Sequence, residues 1–555
     1  MIKDNFIDTL RNSILNNWED AAFTDYGTSN TLTYADVASQ IEKLHILFRT
    51  CGVEKNDRIS LMGKNTSSWT TTYLAAVTYG AIIVPILQDF RANDAIHIIN
   101  HSESKLLFIA DSLYENMDID QMEQVVAVFS LNNYEPLAQI DKIDHNKITV
   151  SAVWEEFKRR HPKGFKKEDI KYTDKTNKDL AAFVYTSGTT GFSKGVVTSL
   201  NALAGNVQFC CEANVTHKGS RHVVFLPLAH SFGCAFDFLS NFCAGGHSYL
   251  VGKTPSPKVL LQAFAEVKPT CVLTVPLILE KIYKNKIVPQ ISKPPVSWVM
   301  KVPFLDEVVL TKLRQALLDA FGGCVDQVII GGAPLNQEVD AFLKRIRFPY
   351  TVGYGMTECA PLISYVNWKD YKLQSCGYAL PNLMEVRVQD KNEQGIGELQ
   401  VRGENLMEGY YKNEEATRLI FTKDHWLKTG DLGYLDEDGL IYIKGRDKNM
   451  ILGPSGQNIF PEEIESVLNN MPYVMESLVM QRDGQIVALV CPDFTAVDAD
   501  HLTQEMVEAA METNRRNLNA QIASYEQVAK VEVYPHEFEK TPKKSIKRFL
   551  YTHQD

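Results

Sequence analysis

Short apolar runs and amphipathic helical patterns alternate along most of this chain, and that alternation narrows its fold more than any other feature. "RISLMG" (58–63), "LLFIA" (106–110), "HVVFLPL" (222–228), "CVLTVP" (271–276) and "QVIIGG" (327–332) each end in Gly, Pro or a turn. Helical segments such as "YADVASQIEKLHILFRTCG" (34–52) and "FLDEVVLTKLRQALLDAFGG" (304–323) lie between such runs. Alternation of this kind predicts an α/β fold with largely parallel sheets, in which ligands collect at the carboxyl ends of strands. A chain of 555 residues exceeds one core, so a large multi-lobed domain and at least one further domain are expected. After "GLIYIKGRDKNMI" the pattern changes to a short α+β unit, with a helix over "PEEIESVLNN" (461–470) and a strand over "QIVALVCP" (485–492). The reading is therefore an N-terminal domain over 1–444, a joint at 445–448 and a small C-terminal domain over 449–555.

Charge and cysteine usage exclude several classes. With 57 basic against 68 acidic residues and a net charge of −11, the chain is not a general nucleic-acid binder. Its ten cysteines form no CxxC pair and no Cys/His spacing suited to zinc. Without a secretory signal they read as reduced thiols of a cytoplasmic protein. Phe6, Leu10, Ile14 and Trp18 recur every four residues, an amphipathic helix expected to dock on its own domain, with peripheral membrane contact the minority reading. "YLAAVTYGAIIVPIL" (73–87) is broken by Gly80 and Pro85 and reads as a buried helix running into a strand, not a membrane span.

Two segments carry the chemistry. "YTSGTTGFSKGVV" (185–197) gathers Thr186, Ser187, Gly188, Thr189, Thr190 and Gly191 ahead of Lys194. Glycines let the backbone approach an anion, hydroxyls and N–H groups donate to it, and a lysine adds charge, so this is a phosphate-binding turn. Its spacing is not that of a Walker A loop. The string resembles the signature loop of the adenylate-forming superfamily, which includes acyl-CoA synthetases, luciferases and the adenylation domains of peptide synthetases. Further segments resemble that family's motifs, in its order. "GGAPL" (331–335), with Gly332, Ala333 and Pro334, is similar to the adenine-side motif. "GYGMTE" (353–358), with Gly353, Tyr354, Gly355, Met356, Thr357 and Glu358, is similar to the adenylate and magnesium motif. "TGD" (429–431) resembles the ribose motif and "GRDK" (445–448) the interdomain hinge. "GPSGQNIFPEEIE" (453–465) resembles the segment that opens the small domain, with Ser455 and Gly456 at coenzyme A.

The resemblance implies two half-reactions. A carboxylate attacks the α-phosphorus of ATP and pyrophosphate leaves; coenzyme A then takes the acyl group as a thioester. It places the departing phosphates on the 186–191 turn and Lys194, Mg²⁺ on Glu358 and Thr189, the ribose on Asp431, adenine against Tyr354, and Arg446 near ribose and phosphate. Lys448 is the pivot. Oxygen ligands suit a hard cation. Because the chain ends at Asp555 without a carrier domain, free CoA is the expected acceptor.

"LPLAHSFGCAFDFL" (226–239) resembles the motif lining an acyl tunnel, with His230 beside the reacting carboxylate. Phe232, Phe236, Phe238 and Phe242 suit either an apolar ligand or ordinary core. "KPTCVLTVPLILEKIY" (268–283) resembles long-chain acyl-CoA synthetases but carries Leu277 where arginine is usual. The expected activity is thus an acyl-CoA ligase for a medium- or long-chain fatty acid. An aryl-acid ligase, a carrier-protein loader and a non-catalytic nucleotide or acyl binder are the alternatives. The family ends in a motif like "TPSGKIKR", whose lysine meets the forming acyl-adenylate. Here "TPKKSIKR" (541–548) aligns without a gap and puts Ser545 at that lysine. If 541–548 is extended, Lys543 shares the face of Ser545 and replaces the missing charge, with Lys544 the alternative.

Overall fold

The computed structural model describes residues 2–139, 149–186, 193–252, 256–291, 293–294, 306–452, 457–541 and 545–552. Its largest sheet has eight strands. In spatial order they are Gly409–Tyr410, Lys194–Ser199, Leu180–Thr186, Ile82–Ile86, Arg58–Met62, Ser104–Ile109, Ala127–Ser130 and Pro136–Gln139. The five central strands, from Leu180–Thr186 to Ala127–Ser130, run parallel. Both flanks are antiparallel, a feature the apolar pattern does not reveal. The helix Ser67–Tyr79 crosses between the parallel neighbours Arg58–Met62 and Ile82–Ile86, and the helix Ala92–His101 carries the chain from Ile82–Ile86 past Arg58–Met62 to Ser104–Ile109. A second parallel sheet joins Cys271–Thr274, Gln327–Ile330 and Tyr350–Val352. The run at 222–228 is strand only over Arg221–Val224, ending before Pro227, which has no N–H for a ladder.

A four-stranded antiparallel sheet, Met384–Gln389, Gly397–Gly403, Leu427–Leu435 and Ile441–Arg446, completes the large unit. The predicted joint falls at its last strand and at the 3₁₀ turn Asp447–Asn449. Beyond it lies a three-stranded sheet, Val474–Arg482, Gln485–Pro492 and Lys530–Val533, covered by the helices Pro461–Leu468 and Gln504–Asn519. This small unit has its own core of Ile459, Ile464, Leu468, Val474, Val490, Val507 and Leu518.

The N-terminal helix Phe6–Asn16 is capped by Asn5, whose side chain accepts from the N–H groups of Ile7 and Asp8. Phe6, Ile7, Leu10 and Ile14 are buried, so its apolar face packs into the protein's own core, as expected. Among the described residues, no helix is long and apolar enough to cross a membrane.

Phe238 and Phe242, open between core and ligand on sequence, belong to the core. Phe238 packs against Phe23, Trp69 and Tyr73 at ring-centroid distances of 5.8, 6.2 and 5.5 Å, and Phe242 stacks on Tyr34 at 4.7 Å. Phe238→Ala should lower large-domain stability by about 3–5 kcal/mol, the usual cost of deleting a core aromatic. Urea titration checks this; a loss below about 1 kcal/mol, the level of a well-tolerated apolar swap, would show that the ring is not packed core.

Candidate active site

Strand direction assembles the site. Leu180–Thr186 runs parallel to its neighbour Ile82–Ile86, and its carboxyl end leads into the phosphate-loop segment. The chain returns along Lys194–Ser199, pairing Thr186 with Lys194 and Tyr185 with Gly195. Both ends of the glycine- and hydroxyl-rich turn are therefore fixed at the sheet's ligand-collecting edge. Ser187, Gly188, Thr189, Thr190 and Gly191 lie outside the described residues, as do Ser455 and Gly456.

Two more motifs leave the carboxyl ends of adjacent parallel strands. Ile330 pairs with Val352, so "GGAPL" and "GYGMTE" emerge side by side. Gly332, Ala333 and Pro334 are exposed. Gly332 sits at φ +87°, a conformation glycine adopts without cost. A Cβ at Gly355 would meet the Pro361 carbonyl oxygen at 2.3 Å, so this loop tolerates no side chain there. Met356 and Gly353 are partly exposed and Thr357 is buried. Glu358 is half-buried; its backbone oxygen accepts from Met407 N at 2.8 Å. Its Oε1 accepts from the Tyr410 hydroxyl, also at 2.8 Å. The carboxylate oxygens match what a hard cation such as Mg²⁺ binds.

Asp431 lies on Leu427–Leu435, directly across from Arg446 on Ile441–Arg446. Tyr354 donates its hydroxyl to Asp431 Oδ2 at 2.6 Å, and Arg446 Nε meets Oδ1 at 2.7 Å. Each carboxylate oxygen retains a lone pair for a further donor, such as a diol. Burial pushes the Asp431 carboxyl up, while the Arg446 guanidinium and the Tyr354 hydroxyl pull it down. Tyr354 is itself buried, and burial raises its phenol far above the usual range.

His230 is half-buried, and its Nδ1 accepts from Phe232 N at 3.2 Å. The neutral ring consequently carries its proton on Nε2. The π-helix Gly233–Ser240 follows immediately, a rare geometry that often marks functional segments. Phe232 stands against Gly331, where a Cβ would meet its ring at 3.0 Å, which brings the acyl-side and adenine-side motifs together. Beside Thr357 and Ala360 lies a narrow cavity walled by Tyr73, Ala229, Ser231 and Cys234, with room for about one water molecule. The Ser231 hydroxyl there is buried and has no hydrogen-bond partner among the described residues.

The basic tail departs from the expected geometry. Lys540 and Ile546 form an antiparallel bridge, Thr541 N donates to the Ser545 carbonyl at 2.8 Å, and Lys547 N donates to the Glu539 carbonyl at 2.8 Å. The chain therefore reverses within 540–547, and strand alternation across 541–548 is not a basis for choosing Lys543 over Lys544. The reason is local: the Thr541 hydroxyl accepts from Ser545 N at 3.3 Å, which favours a turn. Lys543 and Lys544 lie outside the described residues. The other cations are engaged in the small unit. Lys540 meets Glu476 at 2.7 Å, Lys547 meets Glu539 at 2.9 Å, and Arg548 donates to the Glu465 carboxylate and to the Val479 carbonyl.

Sequence reading missed Tyr410 and Asn336. The "GYYKN" after Glu408 was a usable signal for an aromatic edge strand. Asn336, directly after "GGAPL", caps the helix Gln337–Arg345 and also bonds the small unit.

Arg446→Gln tests the Asp431 environment. Removing the cation raises the folded-state pKa of a carboxyl that burial already holds above its unfolded value. The folded state then binds more protons than the unfolded one, and stability falls as pH rises above the ordinary aspartate range. The Tm deficit of Arg446→Gln should therefore be small in acid and widen toward neutral pH. A deficit independent of pH would show that Arg446 does not govern this carboxylate.

Comparison with known proteins agrees with this geometry. The family described as "AMP-binding enzyme" matches residues 11–411. Long-chain-fatty-acid–CoA ligase FadD15 of Mycobacterium bovis is 28% identical over 94% of this chain and 90% of its own. Long chain acyl-CoA synthetase 3 of Arabidopsis thaliana is 26% identical over 85% of this chain and 75% of its own. The anthranilate CoA ligase AuaEII in complex with anthranoyl-AMP superposes with a TM-score of 0.76 at 17% identity, covering 99% of this chain and 97% of that one. ATP-bound MatB from Rhodopseudomonas palustris gives 0.74 at 21% identity, covering 99% and 98%. With a family match over residues 11–411, most of its length, the chain belongs to the AMP-binding enzymes.

Proposed function

We propose that this protein is an ATP-dependent, AMP-forming acid–CoA ligase whose acid is a medium- or long-chain fatty acid. The observation that supports the reading is that Lys194 and Glu358 meet on Tyr410, while Tyr354, from the same loop as Glu358, joins Asp431 and Arg446. The named activities of FadD15 and of the Arabidopsis synthetase support the choice of acid.

In the first step an acid oxygen bonds to the α-phosphorus and the α–β phosphoanhydride breaks. Lys194 and the hydroxyl-rich turn receive the departing negative charge. Asp431 accepts from the ribose diol, and the exposed Gly332–Pro334 backbone gives the base an open edge. Glu358 would hold Mg²⁺, which neutralises phosphate charge when bound. In the second step the CoA sulfur bonds to the acyl carbon and AMP leaves. The His230–Phe232 segment and the cavity beside Thr357 lie on the acyl side. A second reading, a ligase for a shorter or aromatic acid, is favoured by that cavity's narrowness and its unpartnered Ser231 hydroxyl.

The deciding experiment measures acid-dependent pyrophosphate release across acids of increasing chain length and aromatic acids, then thioester formation with CoA. The fatty-acid reading expects release with medium and long chains and a CoA thioester as product. Release confined to short or aromatic acids selects the second reading. Absence of acid-dependent release with every acid sinks both.

Lys448 is exposed in the 3₁₀ turn between the two units, and we place the pivot for the two half-reactions there. Proline stiffens such a joint by fixing φ near −65°. Lys448→Pro should leave one half-reaction near the parent rate and slow the other by about 10²-fold, the scale of a misplaced catalytic constellation. Equal slowing of both in single-turnover assays would remove the pivot from Lys448.

A further inference from the structure

We infer that Tyr410 is a positioning residue for adenylation, its hydroxyl orienting the Glu358 carboxylate and its ring seating the Lys194 ammonium. The inference rests on the ligase reading above and adds a residue that none of the recognised motifs contains.

Its place in the fold makes both contacts from one side chain. Gly409–Tyr410 is the edge strand of the large sheet, with Tyr410 opposite Val196 and Gly409 opposite Val197. Glu408 N donates to the Val197 carbonyl at 2.9 Å and Tyr411 N to the Gly195 carbonyl at 2.8 Å. Tyr410 is thereby locked to the strand that begins at Lys194. Side chains two apart share a face, so the Tyr410 ring lies beside Lys194, whose Nζ is 4.9 Å from the ring centroid. Gly409 sits at φ +147°, where a Cβ would meet Thr417 Cγ2 at 2.8 Å, and Tyr410 N donates to the Thr417 hydroxyl at 2.9 Å, so the strand is also held from the helix Glu414–Ile420.

At its other end, the phenol donates to Glu358 Oε1 while Met407 N holds the Glu358 backbone oxygen. The 407–410 segment thus grips Glu358 at main chain and side chain. A phenol keeps its proton at neutral pH, so the hydroxyl is a donor to this carboxylate. With Oε1 anchored, Oε2 is left to face a cation. The ring does for Lys194 what an acidic partner could not. A cation–π contact restrains an ammonium without neutralising it, so the full charge stays available for a phosphate. A tyrosine of the core that merely found the nearest acceptor would need neither contact to sit on these two residues.

The test compares Tyr410→Phe and Tyr410→Leu with the parent enzyme. ATP binding is measured by calorimetry with Mg²⁺ and with chelator, and pyrophosphate release is measured in parallel. Tyr410→Phe keeps the ring and loses the donor. It should weaken Mg·ATP binding by about 10- to 100-fold, the usual effect of removing a hydrogen bond to a metal ligand, and leave metal-free ATP binding within about twofold. Tyr410→Leu also strips the ring from Lys194 and should weaken both forms. On a Glu358→Ala background, Tyr410→Phe should add less than about twofold, since two groups acting through one contact are not additive. Equal weakening of both ATP forms by Tyr410→Phe, a fully additive effect on Glu358→Ala, or a lowered Tm with normal Mg·ATP binding would each overturn the inference. The two readings fail separately. If Glu358→Ala leaves pyrophosphate release intact, the ligase site itself is misassigned and the inference falls with it. If Glu358→Ala abolishes release while Tyr410→Phe is silent, the ligase reading stands and Tyr410 is only a core residue.

Discussion

The antiparallel return of Lys194–Ser199 beside Leu180–Thr186 is the constraint on which the rest of the site depends. A parallel strand ends once at the ligand edge and leaves by a crossover helix. A strand that instead turns back pins two chain segments at that edge, so the turn between them is held at both ends. That geometry suits an anion site, because the donors around a phosphate must be positioned before it arrives if they are to act without reorganisation. The return strand also exposes a new edge, which Gly409–Tyr410 covers. Covering it quenches unpaired backbone groups and brings Tyr410 over Lys194 and onto Glu358 in the same act.

Asp431 shows how the second half of the site is built on a buried charge. An isolated carboxylate at 4% exposure would be strongly disfavoured. Tyr354 and Arg446 each donate to one oxygen, so the charge is shared between the "GYGMTE" loop and the last strand before the joint. The nucleotide side of the site and the approach to the small unit are thereby tied by one acidic group. Its partners are unequal: Tyr354 is buried, while the Arg446 side chain is 57% exposed. The arginine is the partner that water can replace.

Much of this was legible in the residues. Apolar runs bounded by Gly and Pro marked Arg58–Met62, Ser104–Ile109, Cys271–Thr274 and Gln327–Ile330, because buried parallel strands need no polar alternation. The capping box of Thr33 and Asp36 opens the helix Tyr34–Thr50 where its period predicts. The antiparallel sheet from Met384 to Arg446 was not read. Its strands alternate charged and apolar residues, as in "EVRVQ" and "ELQVRG", and one-sided strands resemble loops when only apolar runs are sought. The tail failed for a different reason. Spacing in "TPKKSIKR" fixes an order along the chain, but the Thr541–Ser545 contact turns the backbone, and face alternation holds only for an extended chain. The local pattern "GYYKN" could have marked an aromatic edge strand, but the contacts of Tyr410 depend on pairing with Val196 across more than two hundred residues, which no local pattern encodes.

The contacts between the two units differ in kind from those within them. Each unit closes on its own apolar core, whereas among the described residues the joint has one small cluster of Ile396, Leu432 and Phe460. Around it, side chains reach across to backbone or to one another. Asn336 Nδ2 donates to the Ser466 carbonyl at 2.8 Å, Asn470 Nδ2 donates to Asn336 Oδ1 at 2.9 Å, and Lys284 Nζ donates to the Val474 carbonyl at 2.7 Å. Such bonds are each worth about 1 kcal/mol net, because water replaces them on separation. Breaking a core of buried leucines would cost several times more for each side chain. Asn336 follows "GGAPL" directly, so one side chain links that loop to the helix that carries Ser466. A small unit held largely by exchangeable polar bonds, with one anchor at Asn336, separates from the large unit at lower cost than either apolar core opens.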